Sequence, residues 1–169
     1  EEQTEVVGDA ATGGGAVARP YLARLNVDGS VDTAFNPRPN AEVYALAVQA
    51  DGKLLVGGNF ATFSPNGGGA IARNHLARLN ADGTVDTAFD PNVDDYVEAL
   101  ALQPDGKLVL AGFFTSLSPN GGSAIARQYI ARLNADGSVD PAFDPKPDNL
   151  LYALALQPDG KLALGGLFN

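Results

Sequence analysis

The chain repeats itself every 54 residues, and that interval limits its possible folds more than any other property. Leu22-Ala-Arg-Leu-Asn-Val-Asp-Gly-Ser-Val-Asp-Thr-Ala-Phe35 returns at Leu76–Phe89 as LARLNADGTVDTAF, and at Ile130–Phe143 as IARLNADGSVDPAF. Arg24, Arg78 and Arg132 keep the interval, and so do Gly52, Gly106 and Gly160. A fixed interval of this size marks an array of one supersecondary unit, each copy of which buries its apolar face only against its neighbours.

The middle copy shows what the unit is. Val97–Gln103 and Lys107–Phe114 are two short apolar runs joined by Pro104-Asp-Gly106. That spacing predicts a β-hairpin, with glycine supplying the positive φ of the turn. A polar, glycine-rich loop (Ser116–Ser123) follows, then a third strand over Gln128–Asn134. The chain is expected to turn at Asn134–Gly137, run as a short fourth strand over Val139–Phe143, and close the unit at Asp144-Pro145. No segment carries a helical period.

The inner strands are apolar on both sides. Val97, Ala99 and Ala101 alternate with Leu100 and Leu102, and Leu54–Gly58 is apolar or glycine throughout. Such strands are covered on both faces, and their small residues let a neighbouring sheet approach closely. The expected fold is therefore all-β, with three tandem four-stranded antiparallel blades of β-propeller type. The alternative is a β-trefoil, in which three repeats close a barrel and each strand keeps one solvated side.

Residues 1–7 are expected to form an N-terminal extension or edge strand. Residues 8–169 form a single repeat domain with units at about 8–61, 62–115 and 116–169. Val6-Val7-Gly8-Asp9 matches Leu55–Gly58 if the following loop is shortened by about five residues, which would make it part of a second strand. Thr4–Gly8 is expected to pair with a strand edge, in its own chain or a neighbour's. The sequence starts at Glu1 without Met, as a processed product or an excised piece would.

Three blades fall short of the four to eight that close a propeller. Nor do the ends read as polar caps, because Leu162-Ala-Leu164 is as apolar as Leu108-Val-Leu110. An uncovered apolar face beside an unpaired strand edge is an association site. Val6, Val7, Gly8, Leu162, Leu164, Leu167 and Phe168 are the expected interface. The partner is either the chain itself, as a closed oligomer or a head-to-tail filament, or the remainder of a longer repeat protein.

Chemistry is sparse. The net charge of −9 argues against nucleic acid as a partner, and no run is long enough for membrane insertion. With no cysteine and one histidine, His75, neither a thiolate metal site nor a Ser-His-Asp triad is expected. His75 stands where the sister units have Tyr21 and Tyr129, as an aromatic strand position.

The runs Asn26, Asp28, Asp32; Asn80, Asp82, Asp86; and Asn134, Asp136, Asp140 place oxygens beside a glycine turn. Hairpin turns with Asx side chains bonded to local backbone explain them. Calcium is the alternative, with Asn80, Asp82 and Asp86 as its candidate ligands. Arg24 with Asp32, Arg78 with Asp86 and Arg132 with Asp140 are expected as structural ion pairs, one per blade. Arg19, Arg73 and Arg127 would line a loop surface or bridge to the adjacent blade. Pro65–Gly69 and Pro119–Gly122 lack the Lys-Ser/Thr and helix of a phosphate loop. No catalytic residue and no cofactor is expected.

Two stretches carry a family resemblance: Arg78–Pro91 (RLNADGTVDTAFDP), and Val97–Lys107 (VEALALQPDGK) with Leu108–Phe114. They resemble the delta-60 repeat, a bacterial family predicted to form β-propellers. The diglycine of Gly57-Gly58 and Gly165-Gly166 is similar to that of kelch blades, and copy two has Ala111-Gly112 instead. The resemblance implies a propeller fold and offers no catalytic residues to carry over. It fits a secreted or surface-exposed bacterial protein with a non-enzymatic structural and self-assembly role. A carbohydrate- or protein-binding module of a larger adhesin, using loops near Phe63, Phe114 and Tyr129, is the alternative.

Overall fold

The computed structural model describes residues 6–7 and 17–169, with backbone pairing alone for residues 6–7. In chain order the strands are β1 (Val6–Val7), β2 (Val17–Ala18), β3 (Val43–Val48), β4 (Leu54–Gly58), β5 (Thr62–Phe63), β6 (Ile71–Ala72) and β7 (Leu76–Leu79). There follow β8 (Val97–Leu102), β9 (Leu108–Gly112), β10 (Ser116–Leu117), β11 (Ile125–Ala126), β12 (Ile130–Leu133), β13 (Leu151–Leu156) and β14 (Leu162–Gly166). All pairing is antiparallel. No helix among the described residues is long and apolar enough to cross a membrane.

The expected inner hairpin forms in every copy. In the middle one, Gln103 N–H donates to the Lys107 carbonyl at 2.8 Å, and Gly106 closes the turn at φ 84°. A left-handed residue there matches the hairpin twist, and glycine adopts it without strain. The third strand then joins the outer side of the hairpin, giving the sheets β3-β4-β7 and β8-β9-β12. The third sheet is the hairpin β13-β14 alone. Each three-stranded sheet draws strands from two successive sequence units.

The fourth strand is shorter than expected. Val31, Val85 and Val139 each make one bridge, to Leu25, Leu79 and Leu133. The aspartate that follows stops the strand, because Asp140 Oδ1 accepts the Ala142 amide at 2.9 Å and turns the backbone away. The glycine-rich loops are more ordered than the sequence suggested. Each is closed by a two-stranded ribbon, β5-β6 or β10-β11, around a short 3₁₀ turn at Pro65–Gly67 or Pro119–Gly121.

The placement of β1 corrects the sequence reading. Val6 pairs with Ala18 and Val7 with Val17, in the same register as Thr62 with Ala72 and Phe63 with Ile71. Val6–Val7 is therefore the counterpart of the ribbon strand β5, not of Leu55-Val56. Its partner, Val17–Ala18, matches β6 across one repeat, which fixes the assignment. Thr4, Gly8 and Asp9 lie outside the described residues.

The sheets stack face to face, and β9 shows the consequence. Leu108 and Leu110 pack into the core shared with Leu55 and Leu76 of the preceding sheet. Val109 and Ala111 pack into the core shared with Leu151 of the following one. All five residues of β9 are buried. This two-sided cover is the blade arrangement, and it excludes the trefoil, whose strands would have a solvated side.

The second glycine of each diglycine is required by backbone contact. A Cβ at Gly58, Gly112 or Gly166 would collide with the carbonyl of Glu42, Tyr96 or Leu150. The first position looks onto side chains instead: a Cβ at Gly57 would meet Val97 Cγ1 at 2.7 Å. That difference explains why copy two can have Ala111 but keeps Gly112.

Candidate functional site: two open blade faces

The innermost strands β3, β8 and β13 stand side by side, one per sheet, and their side chains divide by parity. Ala47 of β3 packs against the core that holds Leu100 and Leu102 of β8. Ala101 of β8 packs in turn with Leu154 and Leu156 of β13. Each junction thus sets an alanine face of one blade against a leucine face of the next. The first blade leaves its large-residue face open, with Leu46 51% and Val48 69% exposed. The last leaves its alanine face open at Ala153 and Ala155.

The outer strands are divided the same way. Before β3 lies half a blade, Leu22–Phe35, which contains the counterparts of a third and a fourth strand but no inner hairpin. Leu22 and Phe35 pack into the core of the first sheet, while the space beside them is a groove of about 350 Å³. Leu22, Arg24 and Phe35 form one wall of it, and Leu46, Val48 and Leu54 the other. After the second sheet lies the opposite half, the hairpin β13-β14 without outer strands. It borders a groove of about 320 Å³ walled by Arg132, Phe143, Leu162 and Leu164.

Three polar or aromatic contacts repeat with the blades. Asp86 Oδ2 accepts Lys53 Nζ and Arg78 Nε, each at 2.8 Å. Asp140 Oδ2 accepts Lys107 Nζ at 2.7 Å and Arg132 Nε at 2.9 Å. Burial alone would raise the Asp86 carboxyl, but the bonds from Lys53 and Arg78 outweigh it and hold its pKa at about 2. The bond from Lys107, then the Ala142 amide and Arg132, bring Asp140 to about 2 as well. Asp32 accepts Arg24 Nε at 2.8 Å and has no lysine partner among the described residues. Its carboxyl is lowered chiefly by Arg24. Lys161 turns back to its own loop and donates to Asp159 at 2.6 Å.

The arginines also reach across blades. Arg24 Nη1 donates to the Ala81 carbonyl at 2.6 Å, and Arg78 Nη1 to that of Ala135 at 2.7 Å. Each guanidinium lies over a phenylalanine of its own blade: Arg24 over Phe35, Arg78 over Phe89 and Arg132 over Phe143. Phe35 and Phe89 are covered in turn by the next blade's turn glycine, Gly83 or Gly137. Phe143 remains half-exposed.

The ion pairs expected from sequence therefore all form, and a lysine that sequence reasoning missed joins two of them. Its signal was present, because Lys53 and Lys107 sit at one fixed distance before Asp86 and Asp140. The candidate calcium ligands are not brought together. Asp82 Oδ1 accepts the Thr84 amide and hydroxyl, Asn80 donates to Thr84, and Asp86 belongs to the lysine–arginine cluster. Among the described residues no group of three or more His, Cys, Asp or Glu side chains could hold a metal ion.

His75 is not in a strand. It precedes β7 at φ 60°, as Tyr21 and Tyr129 do at 59° and 64°, and its ring lies 5.6 Å from that of Tyr96. Arg73 neither lines a loop nor bridges blades. It is buried and donates to the Ala72 and Thr87 carbonyls of its own blade, as Arg19 donates to those of Ala18 and Thr33. Arg127 likewise donates to the Ala126 carbonyl.

Phe63 and Phe114, expected near a binding surface, are fully buried core residues. The aromatic surface is elsewhere. Tyr44, Tyr96, Phe113 and Tyr152 form a row with successive ring centroids 6.4, 6.0 and 5.8 Å apart. Tyr44 titrates above its ordinary value, through partial burial and the charges of Glu42 and Glu98.

Of the expected interface, Leu162, Leu164, Leu167 and Phe168 lie on the last hairpin or immediately after it, with Leu164 36% exposed. Val6 and Val7 form the ribbon strand β1, paired with Val17–Ala18, and the open blade edge of this half is a separate segment. That edge is Leu22–Leu25. Gly8 lies outside the described residues.

Comparison with a protein-family model agrees with this architecture. The family model described as "Domain of unknown function (DUF5122) beta-propeller" matches residues 6–35, 49–89 and 103–143. A solved structure described as "Streptogramin B lyase structure" aligns with 95% of this chain and 82% of its own, at 15% identity and a TM-score of 0.29. A search of curated proteins finds no match.

Proposed function

The chain belongs to the DUF5122 β-propeller family, and from that premise we propose that it is a non-enzymatic structural module whose copies assemble head to tail through their open blade faces. The kinship with the delta-60 repeat seen in its sequence is part of this reading. One observation carries it: the first and last blades present two complementary halves of a junction that the chain builds twice internally. Leu46 and Val48 need an alanine face, and Ala153 and Ala155 offer one. Full burial of an aliphatic side chain contributes about 1.5–3 kcal/mol, so the leucine face alone supplies a real driving force.

The strand edges match as well. Leu54 pairs with Leu79, and Leu108 with Leu133. One further repeat sets Leu162 opposite Leu25, so that β14 of one copy would pair with Leu22–Leu25 of the next and complete a composite blade. Two copies would give six blades, within the range of closed rings. A junction whose rotation does not close the ring gives an open filament.

Mixing two blocked variants tests the proposal. Val48→Asp blocks the leucine face and Ala155→Asp the alanine face, both at exposed positions that leave the fold intact. Each variant alone should lose self-association in sedimentation velocity, and a mixture should regain one junction and form a dimer. Variants that associate as the unmodified chain does would contradict it.

A second reading, a carbohydrate- or protein-binding module, draws support from the row Tyr44–Tyr96–Phe113–Tyr152 beside Glu42 and Glu98. Retention of the monomeric Val48→Asp variant on a glycan array, lost on Tyr96→Ala, would favour it.

A further inference from the structure

Resting on the assembly reading, we infer that the junction between copies contains a lysine–aspartate–arginine cluster divided between two chains, with Lys161 of one copy bonded to Asp32 of the next. The complete cluster occurs twice inside the chain: Lys53 and Arg78 on Asp86, and Lys107 and Arg132 on Asp140. In both, the lysine comes from the turn of the inner hairpin and the other two residues from the outer strands of the same blade. The terminal half-blades hold the same three residues in separate places. Arg24 and Asp32 belong to the outer half, already paired at 2.8 Å. Lys161 belongs to the inner half, with its side chain 76% exposed and no partner but Asp159 among the described residues.

Two independent contacts point to the same neighbour. Arg24 and Arg78 each bond a carbonyl of the following blade, at Ala81 and Ala135. One repeat further, Arg132 would bond the counterpart of Ala135 in the next copy, which is Val27, an exposed residue. Phe35 and Phe89 are covered by Gly83 and Gly137 of the following blade, whereas a Cβ built on Gly29 meets nothing within 4 Å. Gly29 of the next copy would cover Phe143. Lys161 of the terminal hairpin and Arg132 and Phe143 of the blade before it thus find their missing partners at Asp32, Val27 and Gly29 of the next copy, all on one short segment. Charge complementarity and the repeated register both fit a second copy of this chain as the occupant.

The cluster fixes more than contact. Asp32 accepts from two cations only when the inner hairpin lies beside it in the same register as within a chain, so the pair sets polarity and register against other apolar alignments.

A double-mutant cycle on the association constant, measured by sedimentation velocity on the whole chain, tests the inference. Lys161→Met alters an exposed residue, and Asp32→Asn keeps an acceptor for the Ala34 amide that Asp32 Oδ1 now binds. Each single variant should weaken association roughly fivefold, and the double variant little more than either alone. If the unmodified chain associates while Lys161→Met has no effect, or the two losses multiply, the divided cluster is wrong and the assembly reading stands. A chain that stays monomeric at every concentration overturns both.

Discussion

The two three-stranded sheets and the two terminal half-blades are built from nearly the same sequence and have different structures. Leu76-Ala-Arg-Leu79 is a strand, yet Leu22-Ala-Arg-Leu25 makes a single bridge, from Leu25 to Val31. The hairpin strand Leu108–Gly112 is buried at every position, whereas Leu162–Gly166 is buried at none. Local sequence cannot account for the difference. Among the described residues, Leu22–Leu25 has no inner hairpin to pair with, and β14 has no outer strand and no following sheet. In a repeat array, strand formation and burial are properties of a residue's neighbours.

That contrast is broken most directly by the same truncation in both places. Leu110→Ala opens a cavity in a core covered on both sides and should cost about 3 kcal/mol in urea unfolding. Its counterpart Leu164→Ala removes a half-exposed side chain and should cost under ~1 kcal/mol in the isolated chain. Equal losses would mean that the two hairpins are equally supported.

Somewhat smaller is the effect expected at the diglycine. Gly112→Ala drives a methyl into the Tyr96 carbonyl and should cost about 2 kcal/mol. At Gly165 an added Cβ meets Ala153 at an ordinary 3.4 Å, so Gly165→Ala should be nearly neutral by thermal melting.

Acid should separate the regions next. Folding holds the Asp86 and Asp140 carboxyls at about 2, below the ordinary 3.8. The stability they contribute is complete above 3.8 and is lost as pH falls toward about 2. Asp86→Asn should flatten that acid limb in urea midpoints measured across the window, and Asp32→Asn should flatten it less. The smallest effect concerns the turns. Because Asp82 Oδ1 is already occupied by Thr84, adding calcium or a chelator should leave Tm unchanged.

Much of this architecture could be read from the sequence because a 54-residue interval repeats its turns along with its apolar runs. The Pro104-Asp-Gly106 turn and the doubly apolar Val97–Leu102 suffice to place a hairpin between two covering sheets. The Arg–Asp pairs followed from their constant spacing. What sequence could not supply was phase. Val6–Val7 is a dipeptide that fits either Leu55-Val56 or the ribbon strand, and pairing with Val17–Ala18 decided it.

The fourth strand ended early through a side-chain bond at Asp140 that apolar periodicity does not register. Phe63 and Phe114 lie beside glycine-rich loops, near which the sequence suggests a binding surface. Both instead pack into the blade cores, beside the ribbons β5-β6 and β10-β11, which are too short to leave a pattern. The open faces at Leu46, Val48, Ala153 and Ala155 emerged only once the direction of stacking was known.

The central claim is that the two half-blades complete one another between copies. Absolute mass in solution, by light scattering over a wide range of concentration, tests it most directly. The account predicts association, either a discrete dimer of about 35 kDa, twice the chain mass of 17.4 kDa, or a mass that grows with concentration as a filament lengthens. A constant 17.4 kDa at every concentration would contradict it.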